Sequence, residues 1–65
     1  MVFNGNRIKL ILEEKRISQN ELHRRTGISQ SYISDLINNK RIPHTPTLAK
    51  IAEALGVGLD DFMDS

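Results

Sequence analysis

Apolar residues recur along this chain at helical spacing, in groups separated by turn-forming residues. Ile8, Ile11 and Leu12 make the inward stripe of a first helix over about 5–15, with Asn4 as its cap. Ile17 and Leu22 bracket Ser18 at the spacing of a hydrophobic staple, and Glu21 stands where a capping box needs it. These signals start a second helix over 19–26. Gly27 ends it, because glycine takes the left-handed conformation at little cost. Ser29 caps a third helix over 30–38, with Ile28 and Ile33 as its staple. Ile33, Leu36 and Ile37 form its inner stripe, and Asn38 or Asn39 closes it, Asn being the second choice for a left-handed cap.

Lys40 to His44 reads as a loop, since Pro43 disfavours helix at Ile42. Thr45 is the expected cap of a fourth helix over 46–55, with Pro46 at its first position, where a missing N–H is harmless. Leu48, Ile51, Ala52 and Leu55 are its core face, and Gly56 ends it. Val57 and Phe62 repeat the staple spacing and predict a short fifth helix over 59–63, with Asp60 and Asp61 at its positive end. No alternating pattern competes as a strand. The expectation is an all-α fold in one domain, residues 1–65, in which each local signal agrees with the next.

Composition narrows this further. A chain of 65 residues has room for only a small core, and it has no cysteine to staple it. No apolar run is long enough to span a bilayer, and the N-terminus lacks a signal-peptide pattern, so a cytoplasmic location and no membrane partner are expected. The net charge is only +1, but the nine basic residues all lie between Arg7 and Lys50, and Glu53, Asp60, Asp61 and Asp64 follow them. A basic side and an acidic side are expected.

The chemistry concentrates in residues 18–39. Leu22 and Ile28 flank Gly27, and Ile33 and Leu36 follow at helical offsets. This spacing sets two short helices at a steep angle and pushes the second outward, as in a helix-turn-helix that places a helix in the major groove of DNA. The ordered set Ser18-Gln19-x-Glu21-Leu22, Thr26-Gly27-Ile28-Ser29, Tyr32-Ile33-Ser34, Asn38-Asn39-Lys40-Arg41 and Thr47-Leu48-x-x-Ile51-Ala52-x-Ala54-Leu55-Gly56-Val57 resembles the Xre type of helix-turn-helix domain. That is the family of Cro and the phage repressors, and the likeness covers roughly Asn6 to Phe62. It implies a compact five-helix bundle of the phage-repressor DNA-binding domain type. It also implies a homodimer on a palindromic operator in double-stranded DNA. Two positions depart from the pattern. His23 stands where the family usually has alanine or another small residue, so the crossing is wider or the imidazole tilts to solvent. Asn39 stands where glycine is usual, a substitution the left-handed region tolerates.

Helical geometry puts Ser31, Ser34, Asp35 and Asn38 opposite the apolar stripe, with Gln30 in the first turn, on the flank. Gln30 can pair with adenine through N6 and N7, and Ser31 and Ser34 are short donors and acceptors. Asp35 repels phosphate, yet it can accept from cytosine N4 or orient an arginine. The resemblance also places base readers at Gln30, Ser31 and Asp35. For phosphate, Gln19 stands at the N-terminus of the second helix, where its amide and the helix N–H groups can grip an anion. The resemblance gives the matching glutamine that role. Asn38, Lys40 and Arg41 follow the recognition helix and are expected on the backbone, and Tyr32 offers a hydroxyl or a ring. Of Arg24 and Arg25, at least one is expected to be a solvated surface charge.

His23 and His44 do not make a metal pair, since no third ligand is suitably spaced. No nucleophile–base pair, phosphate-binding glycine loop or carboxylate pair in a pocket is legible, so no enzyme, cofactor or small-molecule ligand is expected. The expected function is a sequence-specific transcriptional regulator, a repressor by resemblance. The alternative is a protein-interaction module (antitoxin, anti-repressor or adaptor) on the same fold, which predicts weak DNA binding without sequence preference.

Overall fold

Two serines start the central pair of helices. Ser18 Oγ accepts from the Glu21 N–H at 3.0 Å, and Ser29 Oγ accepts from the Tyr32 N–H at 3.2 Å. Each satisfies one of the donors that a helix N-terminus leaves open. The computed structural model describes residues 2–65. Among them the element order is β1 (Val2–Phe3), α1 (Asn6–Lys15), α2 (Gln19–Thr26), α3 (Gln30–Ile37), α4 (Thr45–Leu55), a 3-10 helix (Leu59–Phe62) and β2 (Met63–Asp64). No helix in the described residues is long and apolar enough to cross a membrane.

The core forms where the predicted stripes meet. Ile8, Leu22, Ile33, Leu36, Ile51 and Phe62 are essentially inaccessible to solvent. They come from all four α-helices and the 3-10 helix, so each helix is anchored by at least one side chain. Burying a large apolar side chain contributes about 1.5–3 kcal/mol, which makes this small set the main source of cohesion. No charged or polar residue joins it among the described residues.

The helix ends follow a common device. After α3, Asn39 is left-handed at φ 59°. Its N–H donates to the Leu36 carbonyl at 3.1 Å, and the Lys40 N–H reaches back to the Asp35 carbonyl at 2.8 Å. This is a Schellman closure, which satisfies the last carbonyls and reverses the chain. Arg16 closes α1 in the same way at φ 56°, with the Ile17 N–H on the Leu12 carbonyl at 2.9 Å. Nothing in the sequence signals that Arg16 is left-handed.

Several expectations are corrected. Among the described residues the fold has four α-helices, not five. The segment expected as a fifth is a single 3-10 turn, closed by the Asp61 N–H on the Gly58 carbonyl at 3.1 Å and by Asp61 Oδ2, which accepts from the Gly58 N–H at 2.9 Å. It cannot continue because Met63 is extended and paired with Phe3, as Asp64 is with Val2, in an antiparallel ladder. That ladder also corrects the expectation of no strand. Two residues per strand are too few to show an alternating pattern. Finally, Thr45 is not the cap of α4. His44 is, since its carbonyl accepts the first helical bond from the Leu48 N–H at 3.0 Å. Pro46 therefore lies one position deeper, still among the residues whose N–H needs no partner. At α1 the cap position is Gly5, one residue later than expected, and Asn4 supplies the side-chain acceptor from just before it, its Oδ1 accepting from the Asn6 N–H at 3.0 Å.

Candidate nucleic-acid interface

The turn between α2 and α3 is held by side chains from both sides. Gly27 is left-handed at φ 75°, and its N–H donates to the His23 carbonyl at 2.8 Å. Thr26 Oγ1 donates to the Leu22 carbonyl at 2.8 Å and accepts from the Ile28 N–H at 3.2 Å. His23 is half-buried rather than turned out to solvent. Its Nδ1 lies 2.7 Å from the Ile28 carbonyl oxygen, so the protonated Nδ1 donates across the turn and clamps it. Leu22 below and Ile33 and Leu36 above are fully buried, which fixes the angle at which α3 stands out from the body.

On the outward face of α3, Gln30 and Ser31 are exposed, and Ser34 and Asp35 are half-buried. Ser31, Ser34 and Asp35 lie away from the buried stripe of Ile33, Leu36 and Ile37, and Gln30 stands in the first turn on the flank. Gln30 is braced rather than free: its Nε2 donates to Asn20 Oδ1 at 2.9 Å. Asn20 was missed by sequence reasoning. Its place beside the N-terminus of α2 carried no signal until the angle between the helices brought it to Gln30. That bond uses one amide donor and leaves the other donor and the carbonyl of Gln30 for a base edge.

The expected phosphate set splits. Gln19, Asn38, Lys40 and Arg41 are exposed, and Tyr32 is half-buried. Gln19 opens α2, next to the N–H groups that point out of the helix end. Asn38 turns its Nδ2 back onto the Ser34 carbonyl at 2.9 Å, so its amide is tied to the end of its own helix. Arg41 folds onto α3, with Nε donating to Asp35 Oδ2 at 3.2 Å and Cζ 5.2 Å from the Tyr32 ring centre. Arg24 and Arg25 both pair with Glu21, at 2.6 and 3.1 Å. The Arg25 hydrogen bond, then the Arg24 charge, hold the Glu21 carboxyl below its ordinary value of 4.5. Arg25 also reaches the Ala54 carbonyl at 3.4 Å and so bridges α2 to α4, while Arg24 is an exposed charge paired within α2.

A second polar cluster joins the chain ends to α3. Asn4 Nδ2 and Arg7 Nε both donate to the Asp64 carboxylate, at 2.8 and 2.6 Å. Arg7 and then Asn4 hold that carboxyl below its ordinary value of 3.8. Asn39, just past α3, accepts from the Gly5 N–H at 2.7 Å through Oδ1. Its Nδ2 donates to Asn4 Oδ1 at 3.3 Å.

Residues 8–62 match a family model described as helix-turn-helix. The chain is 40% identical over 53 residues to the HTH-type transcriptional regulator y4dJ of Sinorhizobium fredii, covering 82% of this chain and 69% of that one. It is 36% identical over 53 residues to the immunity repressor protein of Bacillus phage phi105, covering 82% of this chain and 37% of the repressor. It is 33% identical over 60 residues to the HTH-type transcriptional repressor RghR of Bacillus subtilis, covering 91% and 44%. The chain therefore spans less than half the length of those two repressors. The crystal structure of the restriction-modification controller protein C.AhdI from Aeromonas hydrophila superposes with a TM-score of 0.85 at 24% identity, over 91% of this chain and 89% of that one. That likeness bears on the fold.

Proposed function

The chain belongs to the helix-turn-helix family of DNA-binding transcriptional regulators, and we propose that it represses transcription by binding a palindromic operator as a homodimer. The observation that carries this reading is the outward polar face of α3, whose first-turn Gln30 is braced by Asn20 at the start of α2. A braced amide presents its remaining donor and acceptor in one orientation, which is what pairing with an adenine edge requires.

Gln30, Ser31 and Ser34 meet base edges in the major groove, with Asp35 beside them on the same face. Gln19, Lys40 and Arg41 meet the phosphates on either side, with Tyr32 and Asn38 completing that track and fixing register without reading sequence. A homodimer then sets two copies of α3 about one helical turn apart on one face of the duplex. The protein works in the cytoplasm, at the nucleoid when bound. One domain, residues 1–65, suffices for the DNA contact.

The test is selection of binding sites from a random duplex pool at moderate salt. Enrichment of an inverted repeat with half-sites about 10 base pairs apart is the expected result. A single unrepeated site would remove the dimer from the proposal. No enrichment would remove DNA reading and favour a protein partner for the same face.

A further inference from the structure

The Arg41 guanidinium is held from two directions. Its Nε edge faces Asp35 Oδ2 at 3.2 Å, and its plane lies near the Tyr32 ring, 5.2 Å from the centroid. Tyr32 and Asp35 are three residues apart on α3, so they share a stripe of that helix. Residue 41 returns over this stripe because Asn39 is left-handed and the Lys40 N–H closes onto the Asp35 carbonyl. Tyr32 and Asp35 are half-buried, while the Arg41 side chain stays 57% exposed.

This geometry matters because of how a guanidinium recognises anions. It carries five N–H donors in one plane. Asp35 occupies the Nε donor, and the terminal Nη groups remain for a second acceptor. A phosphate suits them, since paired N–H groups match its oxygens. An unpaired carboxylate on a helix that faces DNA would repel the backbone. The pairing with Arg41 cancels that charge locally.

We propose that Asp35 and Tyr32 are positioning residues that hold Arg41 as a phosphate clamp at the C-terminal edge of the recognition helix. Asp35 acts through Arg41 and does not read a base. The inference rests on the DNA-binding reading above.

Three roles for Asp35 give different outcomes. As a bare negative charge, its replacement by alanine tightens binding to all DNA. As a cytosine reader, its replacement relaxes preference at one base pair. As a positioning residue, Asp35→Asn weakens binding to every variant of the site alike. The last outcome is the expected one, by roughly tenfold. Arg41→Ala should flatten the log–log salt slope by roughly 0.9. The double variant Asp35→Asn/Arg41→Ala should bind no more weakly than Arg41→Ala alone.

The experiment is a salt-dependent titration of the selected duplex with wild type, both single variants and the double variant. Alongside it, NMR of the free protein follows the Arg41 Nε–H resonance. In wild type that proton should exchange slowly and be shifted by the Tyr32 ring. In Asp35→Asn both signatures should be lost, with the backbone spectrum and melting temperature unchanged. Additive variants, relaxed preference at one base pair, or an Nε–H resonance indifferent to Asp35 would each overturn the clamp. Wild type that selects no duplex overturns the DNA reading and the clamp together. The resonance, which needs no DNA, still reports separately whether Asp35 holds Arg41.

Discussion

The backbone of Gly5 lies directly against the carbonyl of Leu36, with no side chain between them. A Cβ on Gly5 would fall within the Leu36 carbonyl oxygen, 2.6 Å from its carbon and 3.1 Å from the Ile37 Cα. The start of α1 thereby meets the end of α3, a favourable head-to-tail meeting of helix dipoles. The Gly5 N–H also donates to Asn39 Oδ1 at 2.7 Å. The position of α3 against the body is set partly by this contact.

Gly5→Ala should therefore be severe. The obstruction is backbone, which cannot rotate away as a side chain would. Overpacking of this kind costs roughly 1–3 kcal/mol or more. Urea unfolding should show a lower midpoint with an unchanged slope. Wild-type stability would mean that α1 and α3 do not meet so closely.

Gly27 should behave differently, because its neighbourhood is open and only its φ of 75° matters. Gly27→Ala should cost roughly 1–2 kcal/mol, and Gly27→Asn less, since asparagine tolerates this region. Paired unfolding curves decide the point. Equal losses for alanine and asparagine would mean that left-handed strain is not the cause.

Base-facing and phosphate-facing residues should separate in binding assays. Gln30→Ala should cost roughly 1–3 kcal/mol on the selected site and relax preference at one base pair. Asn20→Ala should move preference in the same direction by a smaller amount, since it removes only the brace. Lys40→Ala should weaken all sequences alike and flatten the salt slope by roughly 0.9. Titrations against single-base variants of the site distinguish these. A uniform loss for Gln30→Ala would remove it from the base readers.

Acid should weaken the fold through Asp64 and Glu21. Both carboxyls are held below their ordinary values of 3.8 and 4.5 by arginine partners. A carboxyl depressed in the folded state contributes stability that is complete above its unfolded pKa. That contribution is lost as pH falls through the folded value. Stability should therefore be level near neutrality and fall below about pH 4. Because both groups are exposed, the effect should be modest and should shrink in salt. Asp64→Asn should show a smaller acid-induced drop in urea midpoint than wild type, and an identical pH profile would mean that the Arg7–Asp64 pair contributes nothing.

Most of the helical framework was legible in the chain itself. Ser18, Ser29 and Asn4 cap helices because a short oxygen-bearing side chain reaches an N–H two or three residues away. Gly27 and Asn39 end helices because they accept positive φ. These are local interactions, and local spacing encodes them, as it encodes the stripe of Ile33, Leu36 and Ile37. The outward placement of Ser31, Ser34 and Asp35 follows from that stripe, with Gln30 on its flank in the first turn.

What only the tertiary structure decided involves residues distant along the chain. Gln30 finds Asn20, and Arg41 settles against Asp35 and Tyr32, because the helix crossing and the Asn39 turn bring them together. His23 clamps the turn because the helix crossing brings the Ile28 carbonyl within its reach. The expected fifth helix became a 3-10 turn because Met63 and Asp64 pair with Phe3 and Val2, about sixty residues away. A periodic pattern carries the face that a residue shows. It does not carry the partner that waits there, since that partner is delivered by packing of the whole chain.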